Sequence, residues 1–207
     1  IDNLCSLRFT DDEINYLANI KTKSGTHIFR KNGDSYLEFL RNFRLNREYI
    51  TIYPDGLSNA LNIEIEGPIR YASIFEVYLL RIISFMNAPN DSTSYHRAHL
   101  QGIYDIQSAM GKLKRFNENR ENKIKFADFG TRRAFSRSYH EDIVKEIMND
   151  VPESFVGTSN VYLAKKYNLT PIGTMAHKFV QMFQGLDTNS VDSSQQAAFQ
   201  TDRKSTR

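Results

Sequence analysis

The chain has 207 residues, and its 27 basic and 24 acidic side chains give a formal net charge of +3. This length, with 40% hydrophobic residues, is enough to bury the core of one sizeable domain or two small ones. The nearly balanced charge argues against a protein that coats a polyanion, and the single cysteine, Cys5, excludes an intramolecular disulfide. We find no zinc-type spacing, bilayer-spanning apolar run or leader, so the sequence predicts a cytoplasmic protein without a metal site or membrane partner.

The first 65 residues predict two short helices and a hairpin. Thr10 and Glu13 form a capping-box pattern, which predicts a helix over residues 10–20. Apolar side chains at helical spacing predict a second helix over residues 35–43. Two apolar runs flank the turn signal PDGLSN and predict an antiparallel pair, residues 49–53 and 61–65.

Two longer helices follow. Residues 72–86 are apolar nearly all round and contain no Gly or Pro, which is typical of a helix buried between layers. A polar break over residues 87–94 separates this segment from an amphipathic helix predicted over residues 96–116.

The second half repeats a short apolar strand, a Gly-Thr dipeptide and a helix. The three dipeptides are Gly130-Thr131, Gly157-Thr158 and Gly173-Thr174, at intervals of 27 and 16 residues (157 − 130 and 173 − 157). This spacing fits successive βα units with parallel strands, whose carboxyl ends gather on one face. We therefore expect the three Gly-Thr turns to lie together.

Three arginines follow the first Gly-Thr turn, at Arg132, Arg133 and Arg137. Glycine lets a backbone approach a ligand closely, and guanidinium groups bind phosphate or carboxylate in bidentate fashion. This pattern predicts an anion site with the arginines at its rim. The alternative is that they are solvated surface side chains.

Three longer motifs connect these turns: DFGTRRAFSR (128–137), GTSNVYLAKKY (157–167) and TPIGTMAH (170–177). In order and spacing they resemble the nicotinate phosphoribosyltransferase family. Weaker similarities lie upstream, in LRFTDDEINYL, YLEFLRNFRLN and EIEGPIRYASIFEVYLL, so the resemblance runs from about Leu7 to about Phe199.

The resemblance implies an α/β fold of the type II phosphoribosyltransferase architecture. We expect an N-terminal α/β domain with a helical linker over residues 1–118, the first βα units of an irregular, TIM-like α/β barrel over residues 119–190, and a polar tail over residues 191–207. The family's leading Asp-Thr-Asp-x-Tyr-Lys segment and its later Asp-Ser-Gly-Asp-Pro motif do not occur in the sequence. We therefore expect a partial chain.

The resemblance also implies a reaction in which nicotinate displaces pyrophosphate from phosphoribosyl pyrophosphate, coupled to ATP hydrolysis. In the family ATP phosphorylates the histidine of the Gly-Thr-x-x-His motif, which is His177 here. Mg²⁺ is implied as the counter-ion of ATP and phosphoribosyl pyrophosphate, and a homodimer as the assembly. Lys178 stands where many members have Glu, which puts the efficiency of phosphorylation in question.

Further site residues are carried over by motif. Thr174 matches a threonine that contacts nicotinate, and Phe129 with Arg132 match the aromatic and arginine placed against the pyridine ring. Ser159 stands near the position where nicotinamide-using relatives carry Asp, and a neutral serine favours a carboxylate substrate. Arg133 and Asn160 are lesser candidates for substrate contacts. For Phe129, Arg133 and Asn160 a purely structural role is the alternative.

Other functions remain open at this stage. The chain could be a non-catalytic fragment or relic of the same family that keeps an anion pocket, or the nicotinamide-using relative. Nucleic-acid binding through the arginines is a third hypothesis, and the near-balanced charge argues against it.

Overall fold

The computed structural model describes residues 1–22, 24–29, 35–58, 60–174, 177–186 and 191–205. They form two compact units, Ile1–Ile172 and Gly173–Arg207. The fold mixes helices with small sheets, so the predicted α/β class is confirmed. The predicted segment boundaries after residues 118 and 190 stay predictions.

The first unit begins with short helices. Helices α1, α2 and α3 and a 3₁₀ turn span Asp2–Cys5, Asp11–Asn19, Ser35–Asn42 and Arg47–Tyr49. The capping box is confirmed, since the Thr10 side chain accepts the Glu13 N–H and the Glu13 carboxylate accepts the Thr10 N–H. Helices α2 and α3 pack through buried apolar side chains, namely Ile14, Ala18, Leu37 and Leu40.

The predicted hairpin is also confirmed. Strands β1 (Ile50–Pro54) and β2 (Leu61–Ile65) pair antiparallel, with Ile50 opposite Ile65. Residue 59 of the predicted turn lies outside the described residues. The hairpin contributes Ile50 to a core that also includes Phe43, Phe75 and Leu79.

Helix α4 spans Ile69–Met86, and its predicted burial on all sides is wrong. One face carries the buried Phe75 and Leu79, with Tyr71, Ile74 and Tyr78 half-buried against the same core. Apolar side chains on the other face are exposed, including Val77, Leu80, Ile82, Ile83, Phe85 and Met86. The reason is that the helix packs on the hairpin core along a single face, and no second layer of the described residues covers the opposite face.

Helix α5 spans Ser92–Asn117 and confirms the amphipathic helix with a longer extent than predicted. It packs against α6 (Arg137–Asp150) around Met110, Ile147 and Val151. The buried Asn117 amide then donates to Ser154 and exchanges hydrogen bonds with Ile124, which ties the end of α5 to the following sheet.

That sheet is parallel, as predicted. Strand β3 (Phe126–Asp128) pairs with β4 (Phe155–Thr158), and α7 (Val161–Tyr167) follows β4. The third predicted strand is reduced to one parallel bridge, between Thr158 and Pro171. Pro171 has no N–H to donate to a ladder, and this limits the pairing on that side.

The second unit contains α8 (His177–Leu186) and α9 (Val191–Ser205), which pack against each other. The polar tail predicted from residue 191 onward is therefore helical, because a polar segment can be held as a helix by packing on a neighbour. Within the described residues, no helix combines the length and apolarity needed to cross a membrane.

Candidate active site at the ends of the parallel strands

A buried carboxylate lies at the end of β3. Asp128 Oδ2 accepts hydrogen bonds from the Thr158 hydroxyl at 2.6 Å and from His140 Nε2 at 2.9 Å, and Oδ1 accepts the Gly130 N–H at 2.8 Å. The side chains of Asp128 and His140 are only 8% and 3% exposed. Sequence reasoning missed both residues. The signal was an Asp two residues before the first Gly-Thr turn, with a His in the first turn of the next helix.

This network keeps Asp128 ionised. Burial by itself raises the pKa of the Asp128 carboxyl, but the hydrogen bonds from His140 and Thr158 outweigh burial, so the pKa lies below its usual range. His140 Nδ1 is buried without a hydrogen-bond partner among the described residues. Asp128 thus joins β3, β4 and α6 through one charged group. We call Asp128, His140 and Thr158 the Asp128 cluster.

Asn160 connects the first two Gly-Thr turns. Its Nδ2 donates to Thr131 Oγ1 at 3.2 Å, and its backbone N–H donates to Thr158 Oγ1 at 3.0 Å. Its Oδ1 also accepts the Leu163 N–H and caps α7. The predicted proximity of these two turns is therefore confirmed. The Asn160 side chain makes two structural hydrogen bonds, and its predicted contact with a substrate stays a prediction.

Ser159 lies between these groups. Its backbone N–H donates to the Asp128 carbonyl oxygen at 2.8 Å, and its side chain is half-buried. This bond fixes the turn after β4 to the end of β3. The predicted preference of Ser159 for a carboxylate substrate stays a prediction.

The glycines of the two turns serve the packing of the protein itself. Gly157 has φ +144°, and a Cβ atom there would collide with the carbonyl oxygen of Thr170. A Cβ atom at Gly130 would lie 2.9 Å from Asp128 Oδ1. At both positions neighbouring protein atoms fill the space that a side chain would need, which is a sufficient reason for glycine there. The expectation that these glycines let the backbone approach a ligand stays a prediction.

The loop after β3 carries the predicted ring and anion contacts. Phe129 is 48% exposed, and Arg133 is exposed. The Arg132 guanidinium forms an ion pair with Glu76 at 2.5 Å, while the Ser84 hydroxyl donates to the Arg132 carbonyl oxygen at 3.2 Å. Two contacts from α4 thus hold Arg132 in place.

Two more arginines lie on the helices next in contact or sequence to this loop, Arg137 at the start of α6 and Arg81 on α4. The Arg137 guanidinium stacks on the Tyr162 ring, 4.0 Å from its centroid. Arg81 on α4 is half-buried, and sequence reasoning did not single it out. Its signal was a lone charge within the otherwise apolar part of residues 77–86.

Thr174 and His177 belong to the second unit. Both are exposed, and His177 is the first residue of α8. Residues 175 and 176 and the Lys178 side chain lie outside the described part of the chain. The predicted convergence of the third Gly-Thr turn on the other two stays a prediction, as does the effect of Lys178.

Among the described residues, no three His, Cys, Asp or Glu side chains are grouped so that they could hold a metal ion. The exposed site residues predicted in the first unit are instead one aromatic and two cationic side chains in the loop after β3, namely Phe129, Arg132 and Arg133. Such a surface is chemically suited to a flat or anionic ligand.

The fold and the turns define an α/β protein whose polar residues collect at the carboxyl ends of parallel strands. The model of the nicotinate phosphoribosyltransferase family matches residues 124–206, and the model of that family's N-terminal domain matches residues 1–84. The chain belongs to the nicotinate phosphoribosyltransferase family.

Comparisons with individual proteins support the same family. Nicotinate phosphoribosyltransferases from Herminiimonas arsenicoxydans and Chromobacterium violaceum are 39% and 38% identical to this chain over 89% and 90% of its length. Among solved structures, the nicotinate phosphoribosyltransferase from Vibrio cholerae matches 96% of this chain and 44% of its own with a TM-score of 0.80 at 27% identity. The enzyme from Porphyromonas gingivalis matches 89% of this chain and 43% of its own with a TM-score of 0.67 at 25% identity. The chain spans 44% of the length of both curated relatives.

Proposed function

We propose that this chain contributes to transfer of a phosphoribosyl group from phosphoribosyl pyrophosphate to nicotinate. The products would be nicotinate mononucleotide and pyrophosphate, a reaction that salvages a precursor of NAD. The observation that carries the proposal is the match of two family models to residues 1–84 and 124–206, on a chain whose first two Gly-Thr turns lie together.

In this proposal the loop after β3 binds the pyridine ring and its carboxylate. Arg132 offers a planar pair of N–H donors to the carboxylate, and its ion pair with Glu76 orients it. Phe129 is exposed enough to stack on the ring. The neutral Ser159 would not repel a carboxylate, which favours nicotinate over nicotinamide.

We further propose that ATP drives the reaction through His177. An imidazole nitrogen of His177 would attack the γ-phosphorus of ATP, ADP would leave, and water would later release phosphate from the phosphohistidine. The exposure of His177 and its place at the start of α8 are compatible with this step. Thr174 would contact nicotinate, and Mg²⁺ would arrive with ATP and phosphoribosyl pyrophosphate.

The test is formation of nicotinate mononucleotide by the 207-residue chain, supplied with nicotinate, phosphoribosyl pyrophosphate, ATP and Mg²⁺. We expect product, a preference for nicotinate over nicotinamide, and a loss of about 10-fold or more in kcat/KM for Arg132→Met, because a charged hydrogen bond to the carboxylate is removed.

Arg97→Met is the matched control, since it removes the same charge from an exposed position on α5. This control should retain wild-type turnover. If no preparation of the folded chain forms product, the proposal is rejected for this chain. That result would favour the hypothesis that the chain is a non-catalytic anion-binding segment.

A further inference from the structure

His140 is buried on α6, although its ring has a single polar contact among the described residues. Nε2 lies 2.9 Å from Asp128 Oδ2, whereas Nδ1 is shielded from solvent without a hydrogen-bond partner in that part of the chain. Burying an imidazole in this way costs free energy that an apolar side chain of similar size would not cost. The hydrogen bond to Asp128 is therefore what a histidine supplies at this position.

This hydrogen bond fixes the rotation of the Asp128 carboxylate. The terminal torsion of an aspartate side chain is broad, so a carboxylate that is held at one oxygen alone can turn. Oδ2 accepts from both His140 and Thr158, and this directs Oδ1 at the Gly130 N–H, which it accepts at 2.8 Å. A donor on α6 thus orients an acceptor at the end of β3.

Gly130 anchors the loop after β3. Its N–H is bound to Asp128 Oδ1, and its carbonyl oxygen accepts the backbone N–H groups of Arg133 at 2.9 Å and Ala134 at 3.0 Å. Ala134 is buried, so the far end of this turn is held as well. The hydrogen bonds therefore run without a gap from the His140 ring to the end of the loop.

Two side chains that are proposed to contact nicotinate belong to this anchored loop. Phe129 lies between Asp128 and Gly130 in the chain, and Arg132 lies inside the turn that Gly130 closes. A shift of the Gly130 peptide would displace both side chains. A displacement of about 1 Å is enough to weaken a binding contact strongly.

We propose that His140 is a positioning residue, which acts through Asp128 to fix the loop over residues 129–134 for binding of the pyridine ring. Its side chain is only 3% exposed, so it acts on the loop and not on a substrate. The benefit to nicotinate rests on the proposed function. The fixing of the loop rests only on the hydrogen bonds of Asp128 and Gly130.

Three variants separate positioning from a general contribution to stability. His140→Leu removes the donor, whereas His140→Gln keeps one, because a glutamine amide nitrogen can take the place of Nε2. Asn117→Leu is the matched control, since Asn117 is 2% exposed and donates to Ile124 and Ser154, which precede β3 and β4. The control therefore disturbs the same two strands at their opposite ends.

Amide hydrogen exchange tests the fixing of the loop in the absence of substrate. We expect residues 129–134 to exchange about 10-fold faster in His140→Leu, because the Gly130 N–H loses a fixed acceptor. In His140→Gln and in Asn117→Leu the exchange of these residues should stay within about 2-fold of wild type. If leucine prevents folding, His140→Phe, which keeps a ring without a donor, takes its place.

Steady-state kinetics with nicotinate test what the fixed loop does. In His140→Leu the KM for nicotinate should rise about 5-fold or more while kcat stays within about 2-fold, because a binding contact is lost and the reacting groups are not. His140→Gln should restore the wild-type KM. A merely structural histidine would lower stability and leave KM unchanged, as we expect for Asn117→Leu.

The outcomes separate this inference from the proposed reaction. Wild-type exchange of residues 129–134 in the variants without a donor, or equally fast exchange in Asn117→Leu, would overturn the inference. Faster exchange that glutamine reverses, in a chain that forms no product, keeps the positioning of the loop and rejects the reaction. Product formation with a KM that does not depend on His140 rejects the positioning role alone.

Discussion

The first two Gly-Thr turns and the third share a dipeptide but differ in their surroundings. Thr158 is fully buried and hydrogen-bonded to Asp128, whereas Thr174 is exposed. A Cβ atom at Gly157 would meet the Thr170 backbone, whereas one at Gly173 would meet nothing within 4 Å. The same two residues thus form part of the core in one turn and an open surface in the other.

This difference shows that a repeated motif does not assign a repeated role. In the first unit the two turns are structural elements, held by the Asp128 cluster and by Asn160. We call these two turns, with the Asp128 cluster and Asn160, the frame. In the second unit Gly173, Thr174 and His177 are exposed, and the proposed function assigns chemistry to this turn. The frame should therefore be sensitive to substitution in stability, and the exposed turn in chemistry.

The largest contrast is expected at the glycines. Gly157→Ala should destabilise the protein by about 3 kcal/mol, because φ +144° strains an L-residue and the added methyl group meets the Thr170 carbonyl. Gly173→Ala should change the free energy of unfolding by less than about 0.5 kcal/mol. Urea denaturation of both variants measures the difference.

Gly130→Ala sharpens this prediction. Its methyl group would press on Asp128 Oδ1, a side-chain atom, so the loss should fall between those of the other two glycines. Equal losses at Gly157 and Gly173 would contradict the division into frame and open turn.

The next effect is expected at Asp128. Asp128→Asn should cost about 2 kcal/mol at neutral pH, because two charge-assisted hydrogen bonds are weakened in a buried site. The folded-state pKa of Asp128 is lowered, so its contribution is fully present above the unfolded pKa of about 3.9 and is lost as the pH falls through the folded value.

The free energy of unfolding of wild type and Asp128→Asn, measured from pH 7 to pH 3, checks the sign. The difference between the two proteins should narrow below about pH 4. A difference that widens on acidification would mean that Asp128 is not stabilised as a carboxylate.

The threonines provide the smallest contrast. Thr158→Val should cost about 1 kcal/mol, because the hydroxyl both donates to Asp128 and accepts the Asn160 N–H in a buried position. Thr131→Val loses one half-buried bond and should cost less, and Thr174→Val should cost least. Another order in thermal melting would show that burial does not decide the role of these hydroxyls.

Local signals in the sequence were enough to predict much of the fold. The capping box at Thr10, the hairpin around PDGLSN and the parallel pairing of β3 with β4 each follow from turn chemistry or periodicity within a short window. Patterns of this kind depend on near neighbours in the chain, so they survive without knowledge of tertiary packing.

Long-range burial could not be read in the same way. The apolar pattern of α4 gave its helix correctly but not the exposure of its second face, because apolar content does not show what covers a helix. The Asp128–His140 pair joins residues 12 apart, and Glu76 reaches Arg132 across 56 positions. Such pairs depend on the three-dimensional packing, so the local sequence pattern does not show which residues will form them.

The most direct test of the account is the phosphorylation state of His177. Intact-mass and peptide mass spectrometry after incubation with ATP and Mg²⁺ should find an acid-labile phosphate on His177 in wild type and none in His177→Asn. Because His177 is exposed, that variant should unfold at the wild-type temperature. An unphosphorylated His177 in folded wild-type protein, or the same phosphate in His177→Asn, would contradict the assignment of chemistry to the exposed third turn.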